Sequence, residues 1–248
     1  MRIWDSHVHL KHGDAEGTEY PARDIVATMD AAGIERSVVF AMSTTTERSI
    51  EMALEAVRQF PDRLIPYVYA LPHYGRPVLE EIESAIVDLG FRGIKIHAGE
   101  CTLAEYVVDP VFELAGRHGV PCLIDCLGNA GAAERLARAF PGTSQIVAHM
   151  GRYLATDAHL LERFIVLAEA HQNVFLDLSG VVLLEQAQEA VRRLGSGRLL
   201  FGTDGPHRAP DTASYARLAI RKIDALDLAD EQRKDIFWGN IARLLELA

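Results

Sequence analysis

The chain has 248 residues, of which 49% are hydrophobic and 24% charged, and 35 Asp and Glu against 25 Lys and Arg give a formal net charge of −10. This balance is typical of a globular protein with a large core, and the acidic charge argues against nucleic acid or an anionic membrane as a partner. No apolar run approaches the ~20 residues of a membrane-spanning helix, and the first residues lack the apolar stretch of a signal peptide, so the sequence predicts a cytoplasmic protein.

Eight short runs of apolar or β-branched residues recur along the chain at similar intervals. The runs begin near Arg2, Ile34, Arg63, Arg92, Val120, Ser144, Asn173 and Arg198. Segments with apolar residues at i, i+3 and i+4 lie between them, such as ARDIVATMDAAG after the first run, and this is the pattern of amphipathic helices. Strands that alternate with helices indicate parallel βα units.

Eight such units in a chain of this length predict an α/β fold, a single (β/α)8 TIM barrel that spans residues 1–248 as one domain. The tail DEQRKDIFWGNIARLLELA predicts short C-terminal helices. A doubly wound open sheet is the structural alternative, but the sequence has no G-x-G-x-x-G turn after an early strand.

Residues of metal-binding types lie at the predicted C-terminal ends of the strands, where the chemistry of a barrel gathers. They are His7 and His9 on the first strand, Lys95 and His97 on the fourth, Asp125 on the fifth, His149 on the sixth, Asp177 and Ser179 on the seventh and Asp204 on the eighth. Any one of them alone is more often a hydrogen-bonded packing residue than a ligand. Their joint placement at one end of the barrel predicts a metal site.

His7 and His9 are the most informative pair. Side chains two residues apart in a strand point to the same face, so both imidazoles project to one side and Val8 to the other. Two neutral imidazoles so placed can bind one divalent ion such as Zn²⁺. Asp204 ends the last strand, which lies beside the first strand in a closed barrel, and its carboxylate can ligate the ion or take a proton from water.

Several motifs together resemble the amidohydrolase superfamily, and most closely its family 2 branch of metal-dependent hydrolases and non-oxidative decarboxylases. They are DSHVHL, GFRGIKIHAGE, VPCLIDCLGN, IVAHMGR, NVFLDLSG, RLLFGTDGPH and IFWGNIARLL, in the order of the family. The resemblance implies that His7 and His9 bind the metal and that Asp204 is the last ligand and the base. It also implies that His149 assists proton transfer or binds the metal.

One position departs from the family pattern, because Asp125 stands where the family commonly has a metal-binding histidine at the end of the fifth strand. Three outcomes are open, in this order: Asp125 binds the metal and shifts its preference from Zn²⁺ towards Mn²⁺, it serves the substrate, or the site is degenerate. We expect Lys95 to be an interior cation that contacts the substrate, rather than a carbamylated bridge. His97 is a candidate substrate contact or a compensating ligand, and Arg152 could form a forked contact with a substrate carboxylate.

The resulting hypothesis is metal-assisted hydrolysis of an amide, ester or lactone bond in a small molecule. A divalent ion, Zn²⁺ with Mn²⁺ as the alternative, activates water; Asp204 takes the proton and His149 stabilises the oxyanion. The alternatives are non-oxidative decarboxylation of a small aromatic or unsaturated acid and a non-catalytic ligand-binding barrel with a degenerate metal site. A homo-oligomer is an open expectation, since a second subunit could cover an otherwise shallow site.

Overall fold

The computed structural model describes residues 1–247, in which short parallel strands alternate with helices. The strands are β1 (Trp4–Lys11), β2 (Arg36–Ala41), β3 (Leu64–Pro66), β4 (Val68–Tyr69), β5 (Ile94–His97), β6 (Cys122–Asp125), β7 (Gln145–Val147), β8 (Val174–Asp177) and β9 (Leu199–Leu200). Only Tyr67 separates β3 from β4, so these two segments are one passage of the chain and the strands occupy eight positions.

The strands form two parallel sheets, one with the order β1-β2-β3 and the other with the order β4-β5-β6-β7-β8-β9. Backbone hydrogen bonds join the two sheets on both sides. The Tyr67 N–H donates to the Val39 carbonyl at 3.0 Å, and Ser6 N–H donates to the Phe201 carbonyl at the same distance. The Asp204 N–H donates to the His7 carbonyl at 2.9 Å. The predicted α/β fold of TIM-barrel type is therefore confirmed, with the first strand beside the last.

The helices follow the strands as predicted. They are α1 (Ala22–Ala32), α2 (Thr46–Gln59), α3 (Leu79–Val87), α4 (Glu105–Arg117), α5 (Ala130–Ala139), α6 (Ala158–Ala170), α7 (Leu184–Leu194), α8 (Thr212–Asp224), α9 (Asp230–Lys234) and α10 (Asn240–Leu244). A π-helical turn at Asp235–Gly239 joins the last two. No helix within residues 1–247 has both the length and the apolar composition that crossing a membrane requires.

Local chemistry explains where the helices begin and which face they bury. The side chains of Thr45, Asn129 and Asp157 accept backbone N–H groups in the first turns of α2, α5 and α6. In α1 the buried residues include Ile25 and Met29, four positions apart and therefore on one face of the helix. The amphipathic pattern of the sequence thus packs the helices against the outside of the strands.

Two apolar cores lie on the two faces of the strands. The larger core fills the space between strands and helices and includes Val8, Ile96 and Ile124. The smaller core fills the barrel interior and includes Phe40 and Leu123. Since side chains alternate along a strand, polar residues two positions after an interior apolar residue also face the interior. This alternation places the functional side chains described below.

Candidate active site

Strand periodicity brings the predicted site residues to the interior face at the C-terminal ends of the strands. On β1, Val8 packs in the helix-side core, so its neighbours His7 and His9 turn inward. On β6, Leu123 belongs to the interior core, and Asp125 two residues later lies on the same face. The register pairs His97 of β5 with Asp125 of β6. Residues far apart in the sequence therefore converge.

His7 lies at the centre of the group and is completely buried. Its Nδ1 is 2.9 Å from Asp177 Oδ2, while its Nε2 is 3.1 Å from Asp204 Oδ1 and 3.1 Å from Lys95 Nζ. His9 Nε2 is 2.9 Å from the same Asp204 oxygen. Because Asp177 engages Nδ1 of His7, it fixes the ring so that Nε2 faces Asp204.

Asp125 and His149 form the other side of the group. Asp125 Oδ2 is 3.3 Å from His97 Nε2 and 3.5 Å from His149 Nε2. His149 Nδ1 is 2.9 Å from Ser179 Oγ and 3.1 Å from the Ser179 carbonyl, to which it donates. Ser179 therefore turns Nε2 of His149 towards the carboxylates, with Asp204 Oδ1 3.9 Å away.

The backbone at two of these residues is strained. His149 and Asp204 have φ values of 58° and 59°, in the left-handed region that residues other than glycine seldom adopt. Each such residue costs on the order of 1–3 kcal/mol, and such strain concentrates at functional sites. The surrounding hydrogen bonds hold both side chains where regular strand geometry would not place them.

Asp5 connects the first strand to the residue that precedes Asp204. Its Oδ1 accepts the backbone N–H groups of His7 at 3.1 Å and Thr203 at 2.9 Å. Its Oδ2 accepts the Thr203 hydroxyl at 2.6 Å. Burial raises the pKa of Asp5 to about 7, against the hydrogen bonds from Thr203, which lower it. Asp5 thus positions the two strands that carry His7 and Asp204 relative to each other.

The electrostatics of the group favour neutral imidazoles on β1 and an ionised carboxylate at Asp204. Burial lowers the pKa of His7, and it lowers that of His9 further. Burial alone would raise the pKa of Asp204, but the histidines around it, His149 and His7 first, hold that pKa well below its ordinary value. Neutral imidazole and ionised carboxylate are the forms that bind metal.

His149, Asp125 and Lys95 have shifts of the same origin. Burial lowers the pKa of His149, yet the nearby carboxylates, Asp204 first, raise it above the ordinary value. Burial likewise opposes ionisation of Asp125, but hydrogen bonds from His149 and His97 lower its pKa overall. Burial lowers the pKa of Lys95. His149 is therefore the imidazole most ready to carry a proton.

The donor set fits a divalent cation. One ligand atom from each of His7, His149 and Asp204 lies within 4.8 Å of the others. The Nδ1 atom of His9 is buried and has no hydrogen-bond partner within residues 1–247. Lys95 is the one buried lysine or arginine in that range. The buried group thus contains several carboxylates, neutral imidazoles and little positive charge. A divalent ion that takes N and O ligands suits such a group.

An open cavity of about 320 Å³ gives access to the group. The predicted residues that line it are His9, Lys95, His97, Asp125, His149 and Asp204. Its other lining residues are His12, Gly13, Asp14, Met42, Glu100, Leu127 and Tyr153. Arg152 is exposed and is not among the lining residues, so the structure does not bring it to the group.

Sequence reasoning did not predict the contacts of three residues that the structure brings into the site. Asp177 and Ser179 stand at a strand end, but their partners His7 and His149 are distant in sequence. Alternation on β8 was the available signal for Asp177, because it follows Phe175 by two positions. Glu100 ends the motif GFRGIKIHAGE, but the motif gave it no role, and it lies in the loop after β5.

Comparison with family models identifies one family. A family model described as amidohydrolase matches residues 4–247. No curated protein sequence matches the chain at a significant level. Among solved structures, an amidohydrolase from Burkholderia multivorans with bound zinc has a TM-score of 0.80 at 16% identity, with 100% of each chain covered.

Two further solved structures have similar folds. A 5-carboxyvanillate decarboxylase from Sphingomonas paucimobilis has a TM-score of 0.75 at 15% identity, covering 100% of this chain and 99% of that one. A probable 2-pyrone-4,6-dicarboxylic acid hydrolase from Acinetobacter baumannii, solved with citric acid bound, has a TM-score of 0.73 at 17% identity, covering 99% and 100%. At such identities these likenesses show a shared fold.

Proposed function

Because the chain belongs to the amidohydrolase family, whose model matches residues 4–247, we propose that it is a metal-dependent hydrolase that cleaves an amide, ester or lactone bond in a small molecule. The observation that carries this proposal is the convergence of three imidazoles on Asp204 Oδ1, with Nε2 of His9 at 2.9 Å, Nε2 of His7 at 3.1 Å and Nε2 of His149 at 3.9 Å. The cavity beside them admits a small molecule, and both decarboxylases and hydrolases share the fold.

The ligands we assign to the ion are His7, His9 and Asp204, with Asp125 as the fourth. Zn²⁺ suits this mixture of imidazole and carboxylate, and Mn²⁺ is the alternative because Asp125 replaces a histidine. Such an ion supplies a Lewis acid that polarises a carbonyl oxygen and makes water a better nucleophile near neutral pH. Asp177 supports the site by orienting His7.

The protein's own residues supply the proton transfers. Asp204 is ionised and lies between the two histidines of β1, so it can accept the proton of the attacking water. His149 presents Nε2 to the cavity because Ser179 engages Nδ1. With its raised pKa it can donate a hydrogen bond or a proton to the oxygen that gains negative charge.

Non-oxidative decarboxylation of a small aromatic or unsaturated acid is the second candidate, supported by the name of the Sphingomonas neighbour. Hydrolysis is favoured because no arginine among residues 1–247 lines the cavity to hold a substrate carboxylate. Release of carbon dioxide from candidate acids, against consumption of water with candidate esters and lactones, separates the two. A non-catalytic barrel is disfavoured by the neutral histidines and ionised Asp204, which suit metal binding.

The test is metal analysis of protein purified without a His tag, together with Asp204→Asn. Wild-type protein should contain Zn²⁺ or Mn²⁺, and the variant should lose about 10²–10⁴-fold in turnover, the range for loss of a general base. The exposed Asp62→Asn is the matched control and should keep full turnover. A metal-free, inactive wild type that gains nothing from added Zn²⁺ or Mn²⁺ would contradict the proposal, as would an active Asp204→Asn.

We also propose that residues 1–248 act as one domain in the cytoplasm on a small-molecule substrate, with no nucleic-acid or membrane partner. The hydrogen bonds between β1 and the segment after β9 support the single domain. A homo-oligomer is proposed because exposed apolar side chains occur in the loops after the strands, with Tyr74 85% and Leu127 46% exposed. Light scattering would measure the oligomeric state.

A further inference from the structure

The cavity contains a fixed carboxylate outside the histidine and aspartate group. Glu100 lines the cavity. Its Oε1 accepts the Ser43 hydroxyl at 2.5 Å, and its Oε2 accepts the Ser43 N–H at 3.1 Å and the Tyr69 hydroxyl. Three donors therefore hold one carboxylate in one orientation at the surface of the cavity.

The placement of Glu100 depends on the two loops beside it. Ser43 has a φ of 50°, in the left-handed region, and both of its donors point at the same carboxylate. Gly13 passes close by, since a Cβ there would lie 3.2 Å from Glu100 Oε1 and 3.1 Å from Ser43 Oγ. The loops after β1, β2 and β5 thus meet around Glu100 and leave it open to the cavity.

Glu100 has acceptor capacity that the protein does not use. A carboxylate has about four lone-pair positions, and the three donors occupy Oε1 once and Oε2 twice. No lysine, arginine or histidine within residues 1–247 forms an ion pair with it. One position on Oε1 is left for a donor that enters the cavity.

The charge of the cavity selects the kind of donor. Its lining carboxylates are Asp14, Glu100, Asp125 and Asp204, and Lys95 is its one lysine or arginine within residues 1–247. Lys95 Nζ lies against His7, so it is committed to the buried group. Asp125 and Asp204 face the proposed ion and His149, whereas Glu100 and Asp14 line the cavity without an ion-pair partner within residues 1–247, and this favours a cation over an anion beside Glu100.

We propose that Glu100 is a substrate-binding residue that recognises a positively charged nitrogen group, such as an alkylammonium or a guanidinium. The proposal rests on the hydrolase function above and names its substrate class: small amides, esters or lactones that carry a cationic nitrogen. The nitrogen donates to Oε1 of Glu100, while Ser43 and Tyr69 hold the carboxylate so that little conformational freedom is lost on binding.

The test measures binding, so it does not depend on turnover. The probes are butylguanidinium, which stays charged and does not compete for the metal, and butylurea, a neutral planar analogue of the same size. Calorimetry on the metal-loaded chain should show about tenfold tighter binding of butylguanidinium, because its ionised N–H donors bind a carboxylate more strongly than the neutral N–H donors of butylurea do. In Glu100→Gln most of this preference should be lost, to within about twofold, because the remaining carboxylates act on the cation only from a distance.

Glu105→Gln is the matched control, because Glu105 is exposed nearby at the start of α4 and does not line the cavity. It should keep the wild-type preference. Each comparison is a ratio within one protein, so a change in folded fraction cancels. The proposal is overturned if wild type binds butylguanidinium no more tightly than butylurea, including no binding of either, or if Glu100→Gln keeps the preference. A preserved preference without hydrolysis of any cationic amide, ester or lactone would overturn the hydrolase function alone.

Discussion

Substitution of Gly202 by alanine tests whether Asp177 orients His7 for metal binding. An alanine Cβ at this position would lie 3.0 Å from His7 Cβ and closer still to Asp177 Oδ1, whereas ordinary van der Waals contact begins at 3.4 Å. Asp177 and His7 would have to shift, which disturbs the 2.9 Å contact between Asp177 Oδ2 and His7 Nδ1. Overpacking of this kind costs about 1–3 kcal/mol of stability.

The expected result is a loss of metal affinity of about 10–100-fold, the usual effect of losing the residue that orients a metal-binding histidine. Competition with a chromogenic chelator measures the affinity, and thermal unfolding measures the stability. Gly197→Ala is the control, because a Cβ at Gly197 meets nothing within 4 Å. It should bind metal as wild type does. A Gly202→Ala protein that is folded and holds metal as tightly as wild type would refute the role of Asp177.

Three further outcomes follow from the same geometry. Asp177→Asn removes the charge without adding bulk and should lower metal affinity by a similar 10–100-fold, with the circular dichroism spectrum unchanged. A variant that binds metal as tightly as wild type would contradict the role of Asp177 in orienting His7. Dialysis against a chelator should abolish turnover and lower the Tm, because an ion at 100 times its Kd stabilises the native state by about 2.7 kcal/mol. Added Zn²⁺ or Mn²⁺ should restore both turnover and Tm. Full activity of the chelator-treated protein would exclude metal dependence. Burial raises the pKa of Cys101 to about 11 and that of Cys126 to about 12, and it raises that of Cys122 further, because burial disfavours the thiolate. At pH 8 only ~0.1% of Cys101 is then ionised, so a thiol reagent should label the native protein slowly and faster as pH rises, while rapid labelling at pH 8 would contradict this burial.

The pattern of the sequence was enough to predict the architecture and part of the site. The spacing of apolar residues is a local property of each helix and strand, so eight βα units could be recognised before any contact was known. The same period of two places His7 and His9 on one face of β1 and turns Val8 to the helices. Those predictions required no knowledge of distant partners.

Other features depend on contacts between residues that are far apart in the chain. The 2.9 Å contact of Asp177 with His7 joins residues 170 positions apart, and it decides which imidazole nitrogen faces Asp204. The left-handed backbone at His149 and Asp204 is held by neighbouring strands, against the local preference of these residues. Local sequence carries no signal for either feature.

The cavity wall shows the same division. The sequence placed Arg152 among the candidate substrate contacts because it follows His149, yet the side chain is exposed and Tyr153 beside it lines the cavity. Glu100 ends a quoted motif that gave it no role, and only the packing of its loop against the loop after β2 and the end of β4 places Ser43 and Tyr69 around it. The sequence by itself determined the eight-unit α/β fold and the paired histidines, because the spacing of apolar residues is a property of each short segment. The tertiary structure alone decided which side chains meet and which atoms face the substrate, because those follow from strand register and loop packing across the whole barrel.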